Sequence, residues 1–451
     1  MRSSFLIILA LMLQCTRAES QTLIQEGAVS GTWNVAASPY QVNGEIHIPE
    51  GQTLTIEPGV RIQFQGHHRF FIYGTLMAMG TVNDSIYFTV ENDTLEWCGI
   101  EFRNPVSKVP RSLIEYCVIE HSYAYSGLSE PYTSNYDMGG GIMAEYGNLT
   151  IRNCAIRDNK ALIGAGIKCR GNAVIENTSF TNNEAMQKDI LYIDEGAKIS
   201  GCLITDNRAS ESIVRLLQYV LFLNNTVSEN TLDSTAVAIA MIFGYPDLVN
   251  SIIYGNNVSM IYLSGGSNPR FYNCDIAGGH NSIYAEGENN GIFPGIYENN
   301  IDASPEFLDS SMGDYQLKET SPCIDAGSYL VWNPNLLTDI SGEPRIADTP
   351  AQRVDMGAYE FQGSSGQDTV SAIPPAQNLV ELEIYPNPVL EELNINCSAE
   401  ILEYAIINLQ GIPVMQGTYT DRILVGNLSK GLYILSVTYN AGTAKRLFIK
   451  Q

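Results

Sequence analysis

Basic residues are scarce in this chain: 25 Lys and Arg stand against 49 Asp and Glu in 451 residues, a formal net charge of −24. A surface of that sign repels phosphate backbones and anionic bilayers, which excludes nucleic acid and acidic membrane surfaces as partners. Long apolar runs are missing beyond the first 18 residues, so no transmembrane segment is expected. There is no CxxC pair and no His–Cys cluster at zinc spacing, and with them goes a zinc centre. No nucleophile elbow, phosphate loop or metalloprotease motif occurs either. What remains is an acidic, soluble chain whose organisation must be read from its pattern.

Residues 1–18 supply the first piece. An Arg, an apolar run from Phe5 to Leu13 and the small-residue end Thr16-Arg17-Ala18 read as a secretory signal peptide, too short to cross a bilayer. The second piece is a phrase that returns through the middle of the chain. It reads Ile114-Glu115-Tyr116-Cys117-Val118-Ile119, then Ile151-Arg152-Asn153-Cys154-Ala155-Ile156, and continues from Ile175, Ile199, Phe222, Leu248 and Phe271. Counted at the Cys position, the steps are 37, 24, 24, 23, 26 and 23 residues. A fixed period of this size means stacked supersecondary units, that is, a solenoid.

The phrase also dictates local geometry. Side chains on a straight strand alternate with period two, so Ile151 and Cys154 can both face inward only if the chain turns between them. The corner is held by Asn153, Asn177, Gly201, Asn224, Asn250 and Asn273, the residue types that tolerate left-handed angles. A second column, Ser122, Asn159, Asn183, Asn207, Asn230, Asn256 and Gly279, lies five residues after the Cys position and predicts an amide ladder from coil to coil. Cys117, Cys154, Cys202 and Cys274 share one column with Thr178, Asn225 and Ser251. They are expected to be free, buried thiols.

With Gly139-Gly140-Gly141-Ile142 through Asn159-Lys160-Ala161, and Thr53-Leu54-Thr55-Ile56-Glu57-Pro58-Gly59-Val60, this pattern resembles the right-handed parallel β-helix repeat proteins. The resemblance implies an all-β rod over residues 19–304, with about eleven or twelve coils and a length of ~50 Å. Residues 305–361 break the rhythm. Ser321-Pro322-Cys323-Ile324-Asp325-Ala326-Gly327 and Val354-Asp355-Met356-Gly357-Ala358-Tyr359-Glu360-Phe361 resemble the choice-of-anchor Q segment, and a C-terminal cap on the rod is expected there. The same resemblance offers calcium at Asp339-Ile340-Ser341-Gly342-Glu343-Pro344-Arg345, although Ser341 stands where the family usually has a second Asp. No other cofactor is implied.

Residues 362–378 are rich in Ser, Gly, Pro and Ala and read as a linker. Residues 379–451 form a compact all-β pattern, expected to fold as a small β-sandwich. Its Tyr385-Pro386-Asn387-Pro388 opening, Gly431-Leu432-Tyr433-Ile434 strand and basic end Lys445-Arg446-Leu447-Phe448-Ile449-Lys450 resemble the type A sorting domain of the type IX secretion system of Bacteroidetes-like bacteria. The resemblance implies the type IX machinery as a partner and an extracellular or outer-membrane-surface location.

Candidate ligand-binding residues follow from strand parity. If Ile142, Ile167 and Cys169 face inward, then Glu145, Lys168, Arg170, Tyr192 and Asp194 face out on neighbouring coils. The ordinary role of such a column is a charge ladder, worth ~0.2–1 kcal/mol per pair. The step from Cys117 to Cys154 carries about 13 extra residues, with Tyr123, Tyr125, Tyr132 and Tyr136, beside that column. Tyr and mixed charge together suit sugar rings and hydroxyls.

Asp206 and Glu229, on adjacent coils, are the candidates for a catalytic carboxylate pair. The Gly-His-Gly run and paired Asp of polygalacturonase-like β-helices are absent. Lys168, Arg170, Asp194 and Glu195 are the nearest approach to a pectate-lyase-like set. The expected function is therefore noncatalytic glycan binding or adhesion by a monomer, with a polysaccharide lyase or glycoside hydrolase as the alternative.

Overall fold

The computed structural model describes residues 21–92, 94–103, 111–125, 137–146, 148–287, 293–328, 338–345, 353–363 and 382–450 except 388, 398, 409–412, 419–420 and 440–441. Residues 1–18, expected to be a signal peptide, and nearly all of the expected linker lie outside the described residues. Among those described, the repeat builds three parallel sheets of eleven strands each. One strand per coil enters each sheet, from Thr22–Ile24 to Ile296–Glu298. Eleven coils lies within the eleven or twelve expected from the period. A fourth parallel sheet of five short strands, from Tyr123–Ala124 to Thr231–Leu232, follows the corner after the first sheet in the middle coils.

The corners fall where the sequence places them. Ile151 and Cys154 are both buried, and Asn153 between them turns the chain at φ 54°. The same left-handed angle recurs at Asn177, Gly201, Asn224, Asn250 and Asn273, and also at Tyr116, where the pattern lacks its Asn. Stacking then puts Ile114, Ile151 and Ile175 in register. One apolar core runs from Trp33 to Ala285, each fully buried Ile or Leu contributing ~1.5–3 kcal/mol. The eight described cysteines are free. Burial pushes the Cys202 and Cys274 thiols up to about 12, so they stay protonated and inert.

The amide ladder forms as expected. Asn159 Nδ2 donates to Asn183 Oδ1 at 3.1 Å, Asn183 to Asn207 at 3.0 Å, and Asn207 to Asn230 and Asn230 to Asn256 at 2.9 Å. Each of these amides also donates to a carbonyl of the preceding coil, as Asn207 Nδ2 does to Phe180 O at 2.9 Å. Buried side chains with both amide groups satisfied stiffen one edge of the rod.

The described part of residues 305–361 lies along the flank of the first sheet, and the corner asparagines hold it there. Asn224 Nδ2 donates to Asp355 O, Asn250 Nδ2 to Ser328 O, Asn273 Nδ2 to Ala326 O and Asn177 Nδ2 to Thr338 O, at 2.9–3.1 Å. Leu203 and Ile252, on the outside of the first sheet, pack against Tyr315, Leu317, Cys323, Met356 and Ala358. Gly357, at φ 93°, comes so close that a Cβ would meet Ile252 Cδ1 at 2.7 Å. The segment is a lateral strap. An amide that tolerates the left-handed corner also offers a donor to a neighbour, which is how one column serves both purposes.

The strap carries its own buried charges. Arg345, fully buried, donates to Gly357 O and Ala358 O and lies 3.7 Å from Glu360. Burial pushes the Glu360 carboxyl up to about 9 and the Asp355 carboxyl up to about 6. Both folded values exceed the unfolded ones, so the docked strap binds more protons than the undocked one. Its stability is full below about pH 4 and declines as pH rises through about 6 and then about 9. Amide exchange at Met356–Ala358, corrected for the intrinsic rate, should report an opening equilibrium at least tenfold larger at about pH 9 than at about pH 5. Glu360→Gln should flatten most of that slope. An unchanged slope would mean that Glu360 titrates normally.

The loop offered for calcium is already closed on itself. Asp339 Oδ1 accepts from Ser341 N, Ser341 Oγ and Glu343 N, and Oδ2 from Glu360 N. Beyond the linker, seven described antiparallel strands make sheets of three and four around Leu382, Leu393, Ile395, Ile406, Leu435, Val437 and Phe448. That is the expected small sandwich.

Candidate functional site

The second sheet carries the predicted face. Ile167–Arg170 pairs with Asp189–Asp194 so that Lys168 lies beside Tyr192 and Arg170 beside Asp194. Ile167, Cys169, Leu191 and Ile193 point into the core at 1 % exposure or less, which fixes Lys168, Arg170, Tyr192 and Asp194 outward. Ile142–Ala144 precedes them by one coil and brings Met143 beside Lys168. Met143, Ala144, Glu145, Lys168, Cys169, Arg170, Tyr192 and Asp194 line an open cleft of about 140 Å³. That is below the ~300 Å³ of an enclosing ligand pocket, so the cleft has room for no more than one edge of a larger molecule.

Two charge clusters flank the cleft on the coils to either side of it. On one side Arg69 and Glu101, both fully buried, pair at 2.9 Å, and Arg103 reaches the same carboxylate at 2.5 Å. On the other, Arg215 pairs with buried Asp189 at 2.7 Å and with Glu211 at 2.5 Å. Between these clusters the cleft cations are loosely held. Arg170 is 3.7 Å from Asp194 and 4.0 Å from Glu195, with its side chain 65 % exposed. Lys168 Nζ lies 5.8 Å from the Tyr192 ring centroid and 3.0 Å from Met138 Sδ. Burial lowers the Lys168 ammonium and raises the Tyr192 hydroxyl and the Asp194 carboxyl. Asp194 Oδ1 is buried without a hydrogen-bond partner. The cleft therefore offers two cations, two carboxylates and an aromatic ring to one ligand.

Five of the nine expected binding residues meet here: Glu145, Lys168, Arg170, Tyr192 and Asp194. Tyr123 and Tyr125 do not. They stack on each other at 5.5 Å, and the Tyr123 strand opens the fourth sheet, beside Lys160. Tyr132 and Tyr136 lie outside the described residues. The inserted segment touches the cleft through Met138, at its end. The flanking clusters went unread because Arg69 and Glu101 are 32 residues apart. Outward parity at Glu101 and Arg215 was the available signal.

The candidate carboxylate pair is drawn to the strap. Asp206 Oδ2 accepts from Tyr315 Oη at 3.4 Å, and Glu229 Oε1 from Ser310 Oγ at 3.3 Å. Both residues sit at left-handed corners, with no cation paired to them among the described contacts. Glu120, His121 and Asp158 bring three metal-capable atoms within 4.8 Å of one another. Glu120 is nevertheless engaged by the Arg157 guanidinium at 2.7 Å and by Thr89 at 2.9 Å, and a guanidinium there opposes a cation.

Comparison with known proteins agrees with this architecture. Residues 140–301 match the family model of the right handed beta helix region. Residues 383–451 match that of the secretion system C-terminal sorting domain. No curated protein matches the chain. Among solved structures, the tailspike protein of Acinetobacter phage vB_ApiP_P1 is 11 % identical over 91 % of this chain and 72 % of its own, with a TM-score of 0.29. Coils, ladder and sandwich, taken with the two family matches, make this chain a secreted right-handed parallel β-helix whose C-terminal sorting domain assigns it to type IX secretion and to the cell surface or the extracellular space.

Proposed function

We propose that the rod binds glycan chains at the cell surface without cleaving them. The observation that carries this reading is the cleft itself. Lys168, Arg170, Glu145 and Asp194 surround Tyr192 between two charge clusters that hold their own ions fixed. Sugar hydroxyls both donate and accept, so a site with cations and carboxylates side by side suits them. An aromatic side chain adds apolar contact to the ring. The small open volume fits one edge of a polymer.

Arg170→Ala combined with Tyr192→Ala should weaken retention on the bound polysaccharide by at least about thirtyfold. Both side chains face outward, so the melting curve should not move by more than a degree or two. Normal binding with an unchanged melting curve would remove this face from consideration.

One observation favours the lyase alternative. Lys168 has its ammonium lowered by burial and lies beside Tyr192, and an amine held toward neutrality can act as a base. The release assay that ends the Discussion separates the two readings.

A further inference from the structure

The outward column of the second sheet does not stop at the cleft. Tyr192 is in register with Arg215, Arg215 with Ala240, Ala240 with Tyr262, and Tyr262 with Tyr284. Arg215 is folded down onto Asp189 and Ala240 is buried, so the floor between Tyr192 and Tyr262 is low. At the far end it rises again into aromatics. Tyr262 and Tyr284 stack at 5.9 Å with planes 14° apart, and Tyr284 is 52 % exposed. The Tyr262 hydroxyl donates to the Glu286 carboxylate, which fixes that ring.

Phe243 stands at the corner next to this pair, and it is an unusual residue to find there. Its φ is 62°, in the left-handed region, where a bulky side chain is an outlier costing backbone energy. Its side chain is 55 % exposed, so core packing does not offset that cost. The ring lies over the next corner, Gly265, where an added Cβ would meet it at 2.4 Å. Strain kept at an exposed aromatic points to a binding role.

We propose that Phe243, Tyr262 and Tyr284, with Glu286, form a second subsite, and that the ligand is a linear, neutral glycan lying along the rod axis from the cleft to this patch. The proposal rests on the glycan-binding reading above and adds the ligand's shape and charge. Tyr262 is three coils from Tyr192 and Tyr284 four, or ~14 Å and ~19 Å at the strand spacing. One coil advances by about one sugar residue, so a chain of some five residues meets both sites. Neutrality follows from the charges along the track. Arg215 is compensated by Asp189 and Glu211, the far patch carries the anion Glu286, and the whole chain bears −24. A polyanion would meet repulsion at each of these points.

The test uses the mature full chain and size-graded neutral oligomers of linear glucan, mannan and xylan, from dimer to hexamer, with polygalacturonate alongside. The expected result is at least a tenfold gain in affinity from dimer to hexamer on one neutral ladder. Tyr262→Ala with Tyr284→Ala should abolish that gain and leave the dimer, held at the cleft, unaffected. Phe243→Gly relieves the backbone strain, so it should weaken the hexamer while the melting temperature holds or rises, which separates lost binding from lost folding. A hexamer that binds no better than the dimer overturns the second subsite while leaving the cleft reading in place. Tighter binding of polygalacturonate overturns neutrality. No binding to any glycan by the unaltered protein overturns the cleft reading as well.

Discussion

Ile175→Asp is expected to unfold the middle coils. Ile175 is fully buried, in the strand Val174–Glu176, between Ile151 and Ile199 of the adjoining coils. The substitution removes an apolar side chain worth ~2–5 kcal/mol. It also places a carboxylate among Ile, Leu and Phe with no cation in reach, a further cost of several kcal/mol even if the group protonates. Because each coil is stabilised by its neighbours, a coil lost in the middle exposes two new ends and splits the rod. Circular dichroism should show the single cooperative melt replaced by a lower or broken transition. Cooperative melting at the wild-type temperature would mean that the coil register is wrong.

Asn207→Ala should have the next largest effect on the rod. Its side-chain Nδ2, in a residue 1 % exposed, donates to Phe180 O and Asn230 Oδ1 at 2.9 Å each. Its Oδ1 accepts from Asn183 N at 2.9 Å and from Asn183 Nδ2 at 3.0 Å. Alanine leaves the Asn183 backbone N–H buried and unpaired, at ~1–3 kcal/mol, removes the ladder bonds on both sides of position 207 and opens a small void. The total should be ~3–5 kcal/mol, seen as a shift of the denaturant midpoint. Asn256→Ala, at the half-buried end of the ladder, should cost less than half as much. Equal losses at the two sites would argue that the ladder is not cooperative.

These two residues also show what a sequence of this kind discloses. A column is legible when the fold repeats, because each coil supplies an independent copy of the same constraint. The corner asparagines, the ladder and the number of coils were readable for that reason, and so was the outward direction of Lys168, Arg170, Tyr192 and Asp194. Contacts that occur once are not legible in this way. The strap meets Asn224 and Asn250 from positions more than seventy residues away, and nothing periodic announces it. It is expected across the end of the rod, and its described residues cover a flank, which apolar residues outside a repeat can do as well as close an end. Tyr123 and Tyr125 were assigned to the cleft from nearness in sequence, but the corner after them puts them on another face. The clusters made by Arg69–Glu101 and Arg215–Asp189 needed the coil-to-coil register before they could be seen.

The central claim is that the rod holds glycans without cutting them, and one measurement addresses it directly. Purified mature protein is incubated with a panel of neutral and acidic polysaccharides, and the same samples are assayed for new reducing ends and for retention of the protein on the polymer. Lyases and hydrolases both generate reducing ends, so the readout covers each enzymatic route. Retention on at least one polysaccharide with no release is the predicted result. Clear release would contradict the account and turn attention to Lys168, Tyr192 and the carboxylates beside them as a reaction centre.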